Sequence, residues 1–337
     1  MSTNAIVSTT NRDLAQNTIP LVEWEEALHT FLNTLGSPRT AKAYQRAVKE
    51  AMETLDIEYV ADITAPDLAQ YRGGLVARMD VDSPDRLSPA TVSLKLTGLR
   101  QFLRFCLVTG IIRLSKDAIT FVLKSPRATV EKPYQVLGED ERRRLLDVAH
   151  QHGPREYALV SLGLGTGLRV SELVQVRLDH FSRGEKGHWW LLVKMGKGRK
   201  DRIVPVAASV MKAVKAWIKA SGRSLRRKAD RETFLFTTRQ SPRMTTERAR
   251  QVVKTLARQA SIQKPISPHS LRHTMAIETL RMGASLIVVQ KILGHSSLAT
   301  TQRYVDHLER ADLAQWAFSP SNRAWVKACI LNSKTST

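Results

Sequence analysis

The sequence predicts a mainly α-helical protein in two domains with one small β-sheet. Three observations carry this. Apolar residues recur at helical spacing over most of the 337 residues. Two stretches, 188–195 and 202–206, are apolar and β-rich instead, and the polar, glycine-flanked segment 196–201 between them makes a hairpin. A segment with Pro126, Pro133 and little periodicity, 124–137, reads as a linker between the domains.

Residues 1–20 are small, polar and aperiodic, the pattern of a disordered terminus. The first domain then spans 21–123. Trp24, Leu28, Phe31, Leu32 and Leu35 form one amphipathic face, which Gly36-Ser37-Pro38 ends while opening the next helix. That helix buries Tyr44, Val48, Ala51 and Leu55 and carries Arg39, Lys42, Arg46 and Lys49 on another face. Thr64-Ala65-Pro66-Asp67 starts a third helix and Ser88-Pro89-Ala90-Thr91 a fourth. The fourth has Leu96, Leu99, Leu103 and Leu107 as its stripe, with Lys95, Arg100 and Arg104 expected in solvent. A short fifth helix is expected near 117–123.

The second domain, 138–310, opens with an amphipathic helix at 140–149, continues through the hairpin, and is helical again from 207. A tail follows at 311–337. It carries Trp325, Val326, Cys329, Ile330 and Leu331, too much apolar surface to leave in water. Passing to a neighbouring protomer and folding back on its own domain are both open.

Net charge is +21, from 52 basic and 31 acidic residues. Residues 1–125 hold 14 of each, so the whole excess lies beyond them. A field that positive suits a polyanion, usually nucleic acid. No apolar run is long enough for a membrane span and the polar start lacks a signal core, so a cytoplasmic protein is expected. Cys106 and Cys329 lie far apart in apolar stretches and read as reduced, buried thiols. No Cys/His cluster has zinc spacing, and no metal is expected.

The residues that could do chemistry are Arg169, in Thr166-Gly167-Leu168-Arg169; Lys197, in Gly196-Lys197-Gly198; His269 and Arg272, in His269-Ser270-Leu271-Arg272-His273; His295, in Leu293-Gly294-His295-Ser296; and Tyr304. Attack on a phosphodiester piles charge on the phosphate oxygens, and positioned cations and N–H donors answer it. The forked guanidinium of arginine matches two such oxygens, which lysine cannot mimic. Ser267 and Pro268 place His269 and Arg272 on one face near a helix N-terminus, where the macrodipole favours an anion. Thr166-Gly167 likewise precedes the helix expected to bear Arg169. A lysine on a turn between glycines can donate a proton to a leaving oxygen. Each residue alone has a plain alternative: an ion pair of Arg169 with Glu172, a capped histidine, a basic turn with Arg199 and Lys200, a core tyrosine. Their joint occurrence in this order is what carries weight.

Order and spacing together resemble the tyrosine recombinase (phage integrase) family, in its simple two-domain, Xer-like or mobile-element form. The resemblance runs from residue 21 to about 310 and is sharpest over 269–304. It implies a helical core-binding (SAM-like) domain and an α+β catalytic domain clamped around double-stranded DNA. Tyr304 would attack the scissile phosphate, leaving a 3′-phosphotyrosyl bond and a free 5′-hydroxyl, with no cofactor. Arg169, Arg272, His269 and His295 would stabilise the transition state. Lys197 would protonate the 5′-oxygen, and His269 is a candidate acceptor of the tyrosine proton. Glu172 and His273 match supporting positions. Strand exchange would pass through a Holliday junction, with four protomers on two sites. Arg39, Lys42, Arg46, Lys49, Lys95, Arg100, Arg199 and Lys200 are the expected DNA contacts. The zero net charge of the first domain departs from what DNA binding suggests. Two rivals stand beside this reading: a type IB topoisomerase-like enzyme and a DNA-binding regulator on the same fold.

Overall fold

The computed structural model describes residues 19–80, 82–126, 134–194, 201–295 and 297–305. The predicted N-terminal segment up to residue 18, the hairpin turn with Lys197, Arg199 and Lys200, and the 311–337 tail lie outside them. The chain divides into two compact units, Met1–Glu131 and Lys132–Thr337.

In the first unit the described helices are α1 (Trp24–Asn33), α2 (Pro38–Leu55), α3 (Ala65–Ala77), α4 (Pro89–Val108) and α5 (Lys116–Val122). Their starts follow the sequence. Ser37, Ser88 and Ser115 hydroxyls accept the N–H of Thr40, Thr91 and Ala118 at 3.3, 3.1 and 3.1 Å. Thr64 and Asp67 cap α3 reciprocally, at 3.4 and 2.9 Å. α4 is the central helix: Leu96, Leu99, Phe102, Leu103 and Cys106 are fully buried against Val48, Ala51 and Met52 of α2 and Leu68 of α3. Gly98 lets α2 close on α4, since a Cβ there would lie 3.0 Å from the Tyr44 ring.

Basic residues in this unit fall into two groups. Arg39, Lys42, Arg46 and Lys49 are exposed along α2, with Lys49 3.5 Å from Glu53. Those of α4 are not open to solvent as expected. Lys95 is ion-paired with Glu50. The Arg100 guanidinium donates to the Leu123 carbonyl at 2.7 Å and to Ser125, and Arg104 donates to Thr120 at 3.2 Å. A helix packed on several sides leaves even the flanks of its apolar stripe facing neighbours.

The second unit contains α6 (Glu139–His152), α7 (Pro154–Thr166), the single turn α8 (Val170–Leu173), the strands β1 (Phe181–Arg183), β2 (Trp189–Val193) and β3 (Arg202–Val206), then α9 (Ala208–Ala220), α10 (Thr246–Gln259), α11 (Pro268–Arg281), α12 (Leu286–Leu293) and α13 (Leu298–Val305). The strands form an antiparallel sheet in chain order, with Leu191 opposite Phe181 on one side and Val204 on the other. Leu191, Val193, Val204 and Val206 alternate inward. The expected hairpin is β2–β3, and β1 is an addition to it. Residues 221–245 are not helical as expected, holding only a 3₁₀ turn at Lys228–Asp230.

α7 runs through the core. Ala158 to Gly163 and Thr166 are all buried, and Gly163 lets Leu271 of α11 approach to 3.0 Å of where a Cβ would stand. The end of the expected linker belongs to this unit: Leu137 is fully buried and its N–H donates to Thr274 Oγ1 at 2.9 Å.

Candidate active site

α7 ends where Gly167 turns left-handed, at φ 61°. The reversal brings Arg169 out of the core at the N-cap of α8, so it precedes a helical turn rather than lying in a helix. Glu172, three residues on, accepts the Arg169 backbone N–H at 2.8 Å and its Nη1 at 2.9 Å. Arg202, the first residue of β3, grips the same carboxylate with Nη1 and Nη2 at 3.0 and 2.8 Å and donates Nε to the Ile292 carbonyl at 2.8 Å. Burial alone would raise the Glu172 pKa. The hydrogen bonds and charges of Arg202 and Arg169 outweigh that and hold the carboxyl below its usual range.

Arg272, on α11 one turn from its start, gathers the remaining pieces. Nη1 donates to the Gly167 carbonyl at 2.6 Å; Nη2 donates to Leu293 at 2.8 Å and meets His295 Nε2 at 2.8 Å. The side chain is buried, which together with Arg169 pulls its pKa down to about 10, so it stays charged at neutral pH. Ser267 starts α11 as expected, though the cap bond runs from its own N–H to the Ser270 hydroxyl, at 3.1 Å.

His295 follows Gly294, which ends α12 at φ 64°. A guanidinium has no acceptor, so Nε2 of His295 accepts a hydrogen bond from Arg272 and Nδ1–H donates to Thr301 at 2.9 Å. Burial, then the charges of Arg272 and Arg169, push its pKa to about 4. His295 is therefore a neutral ring at physiological pH.

Tyr304, on α13, is 2% exposed. Its hydroxyl lies 3.1 Å from His273 Nδ1, and its ring stands 6.1 Å from that of His295, nearly parallel. Burial raises its pKa and the Arg272 charge partly opposes the rise. His269, in the first turn of α11, is exposed, and Arg169 is partly so. The protein beneath His269, and the charges of Arg272, Arg250 and Arg169, disfavour its protonated form. The site thus has an open rim, His269 and Arg169, over a floor of Arg272, His295 and Tyr304.

Five of the six expected catalytic residues, with Glu172 and His273, come together; Lys197 lies outside the described residues. Sequence reasoning missed Arg202, Thr301, and Gln290, whose amide donates to the His295 carbonyl at 3.2 Å. It also missed Tyr134, whose ring stacks on His273 at 4.0 Å between centroids and lies 5.1 Å from Tyr304. Thr301 had a faint signal, being three residues before Tyr304 and so on the same helix face.

A mostly helical unit that draws a tyrosine, two arginines and three histidines from three separate stretches of chain into one site defines the class of tyrosine recombinases. The Phage integrase family matches residues 135–310, and the chain belongs to that family. It is 30% identical to tyrosine recombinase XerD of Listeria monocytogenes over 83% of this chain and 92% of that protein. It is 33% identical to tyrosine recombinase XerC of Xanthomonas campestris pv. campestris over 85% and 84%. The fold is also that of a lambda integrase tetramer bound to a Holliday junction, at a TM-score of 0.63 and 16% identity, covering 88% of this chain and 81% of that one. The protein is a DNA strand-exchange enzyme of site-specific recombination. No helix among the described residues is long and apolar enough to cross a membrane.

Proposed function

We propose that Tyr304 is the nucleophile of this enzyme and that Arg169, Arg272, His269 and His295 form the pocket for the scissile phosphate of double-stranded DNA. The observation that carries this is the Arg272 guanidinium, which ties the Gly167 turn, the Leu293 carbonyl and His295 together within hydrogen-bond reach. An oxygen entering there would meet fixed positive charge in a poorly hydrated setting, where it stabilises a charged transition state most. Glu172 keeps Arg169 in place rather than touching phosphate. Lys197 is assigned as the acid that protonates the 5′-oxygen. Attack by Tyr304 yields a 3′-phosphotyrosyl bond, and a 5′-hydroxyl from a second duplex resolves it through a Holliday junction. Four protomers on two sites perform the exchange, by analogy with the lambda integrase tetramer. The second unit, which carries the whole positive excess, supplies most of the electrostatic grip, and Arg39, Lys42 and Arg46 supply that of the first.

A duplex nicked beside the cleavage site tests the assignment, because the freed strand diffuses away and traps the protein–DNA adduct. Tyr304→Phe should bind this DNA normally and form no denaturant-resistant adduct. An adduct from Tyr304→Phe would sink the assignment.

A further inference from the structure

A tyrosine that attacks phosphorus must lose its proton, and the resemblance to the family offers His269 for that role. The geometry points elsewhere. The Tyr304 hydroxyl has His273 Nδ1 within hydrogen-bond reach at 3.1 Å, and the Arg272 guanidinium also beside it can only donate, so the acceptor is His273. His269 stands at the exposed rim, its ring 6.3 Å from that of His273. His273 is held like a working part. Tyr134 stacks on it at 4.0 Å, and the segment bearing Tyr134 is strapped to α11 by Leu137 N–H on Thr274 Oγ1, the residue after His273, and to the loop before α11 by Lys264 on the Val136 carbonyl. His273 also adjoins Arg272 on α11, so one helix carries both the proton acceptor and the principal phosphate cation.

We propose that His273 is the general base of strand cleavage and that Tyr134 is a positioning residue that holds its ring. This rests on the reading of Tyr304 as nucleophile. In the step, the Tyr304 O–H bond breaks and its proton moves to His273 Nδ1 as the phenolic oxygen bonds to phosphorus. The bond from phosphorus to the 5′-oxygen breaks, and that oxygen takes a proton from the acid assigned to Lys197. On rejoining, His273 returns its proton to the departing tyrosine. The buried hydroxyl needs such an acceptor, because burial raises its pKa and keeps it protonated at neutral pH. Among the described residues, the ionisable groups facing His273 are Tyr134, Tyr304 and His269, with Arg272 next to it in the chain.

The test is single-turnover adduct formation by the full-length protein on the nicked duplex, followed across pH. His273→Gln should bind DNA and melt like the wild type yet cleave about 10²–10⁴-fold more slowly, the range of a lost general base. A fluorinated tyrosine at position 304, whose phenol is more acidic, should rescue His273→Gln far more than the wild type. His269→Gln should keep the acid limb of the pH profile, and Tyr134→Ala should slow cleavage more than Tyr134→Phe, which retains the ring. In the wild type, fluorination should leave the midpoint of the acid limb in place, since that limb reports the base. A midpoint that moves with phenol acidity overturns the proposal whether or not His273→Gln folds. So does cleavage by His273→Gln within threefold of wild type, or loss of the acid limb in His269→Gln. An adduct from Tyr304→Phe would strike the nucleophile assignment instead, leaving a separate mark.

Discussion

Arg202→Ala should destabilise the second unit without removing a residue assigned to phosphate or DNA contact. Arg202 is 9% exposed and, among the described residues, makes charge-assisted bonds to both oxygens of Glu172 and to the Ile292 carbonyl. Removing one partner of a buried pair costs about 3–5 kcal/mol, mostly from the charge left behind. Arg169 remains on the Glu172 carboxylate, so the lower end, about 3 kcal/mol, is expected. In a unit of this size each kcal/mol moves Tm by about 2–4 °C, giving a fall of about 6–12 °C. The pH dependence is diagnostic. The Glu172 pKa is depressed in the folded state, so its pairing stabilises the fold above the ordinary glutamate value and is lost as pH falls through the folded value. Without Arg202 the depression shrinks. The gap in Tm between wild type and Arg202→Ala should therefore be widest near neutrality and narrow in acid. Arg202→Lys, which keeps the charge but not the fork, should fall between them. Thermal melts at neutral and acidic pH measure this. A gap that stays constant across pH, or a neutral-pH loss below about 1 kcal/mol, would refute the account of the buried pair.

Two further outcomes follow from local geometry. Gly294→Ala should lose more than the roughly 1–2 kcal/mol of a left-handed non-glycine residue, because its Cβ would stand 2.9 Å from Arg202 Nη1. Gly110→Ala, left-handed at φ 74° but open around its Cβ, should lose only the backbone part, and a comparison of the two by chemical denaturation separates strain from collision. Cys106 is fully buried, which pushes its thiol up to about 12, so in a Cys329→Ser background it should react with a thiol reagent only in denaturant. Labelling of the native protein at Cys106 would contradict that burial.

The boxes that come together in the site were legible as candidates because each is a short run whose pattern is local: an arginine after a helix-ending glycine, a histidine and an arginine one turn apart, a histidine after another helix-ending glycine. Helix starts were legible for the same reason, since Ser37, Thr64 and Ser88 cap within three residues of themselves. What stayed hidden depends on partners distant in sequence. Arg202 reads as one basic residue at the edge of a strand until Glu172, 30 residues back, closes on it. Lys95 and Arg100 read as a solvated face because the pattern of α4 gives no hint of Glu50 or the Leu123 carbonyl. α7 escaped for another reason. A helix buried on every side has no stripe, and periodicity is blind to it.

Tyr134 shows how the two kinds of concealment combine. It sits among prolines and charges, where composition says linker, yet its ring packs on His273 and within 5.1 Å of Tyr304, far along the chain. The family pattern assigns the chemistry to residues inside recognisable boxes, so a ring supplied from outside them attracts no attention. The same blindness applies to His273, which the pattern treats as an orienting neighbour of Arg272. Only the folded chain puts its Nδ1 within 3.1 Å of the hydroxyl of the proposed nucleophile. Sequence motifs identify which groups bear charge on phosphate, because those groups are constrained by residue type. The route of the proton is constrained by distance, and distance is what the fold supplies.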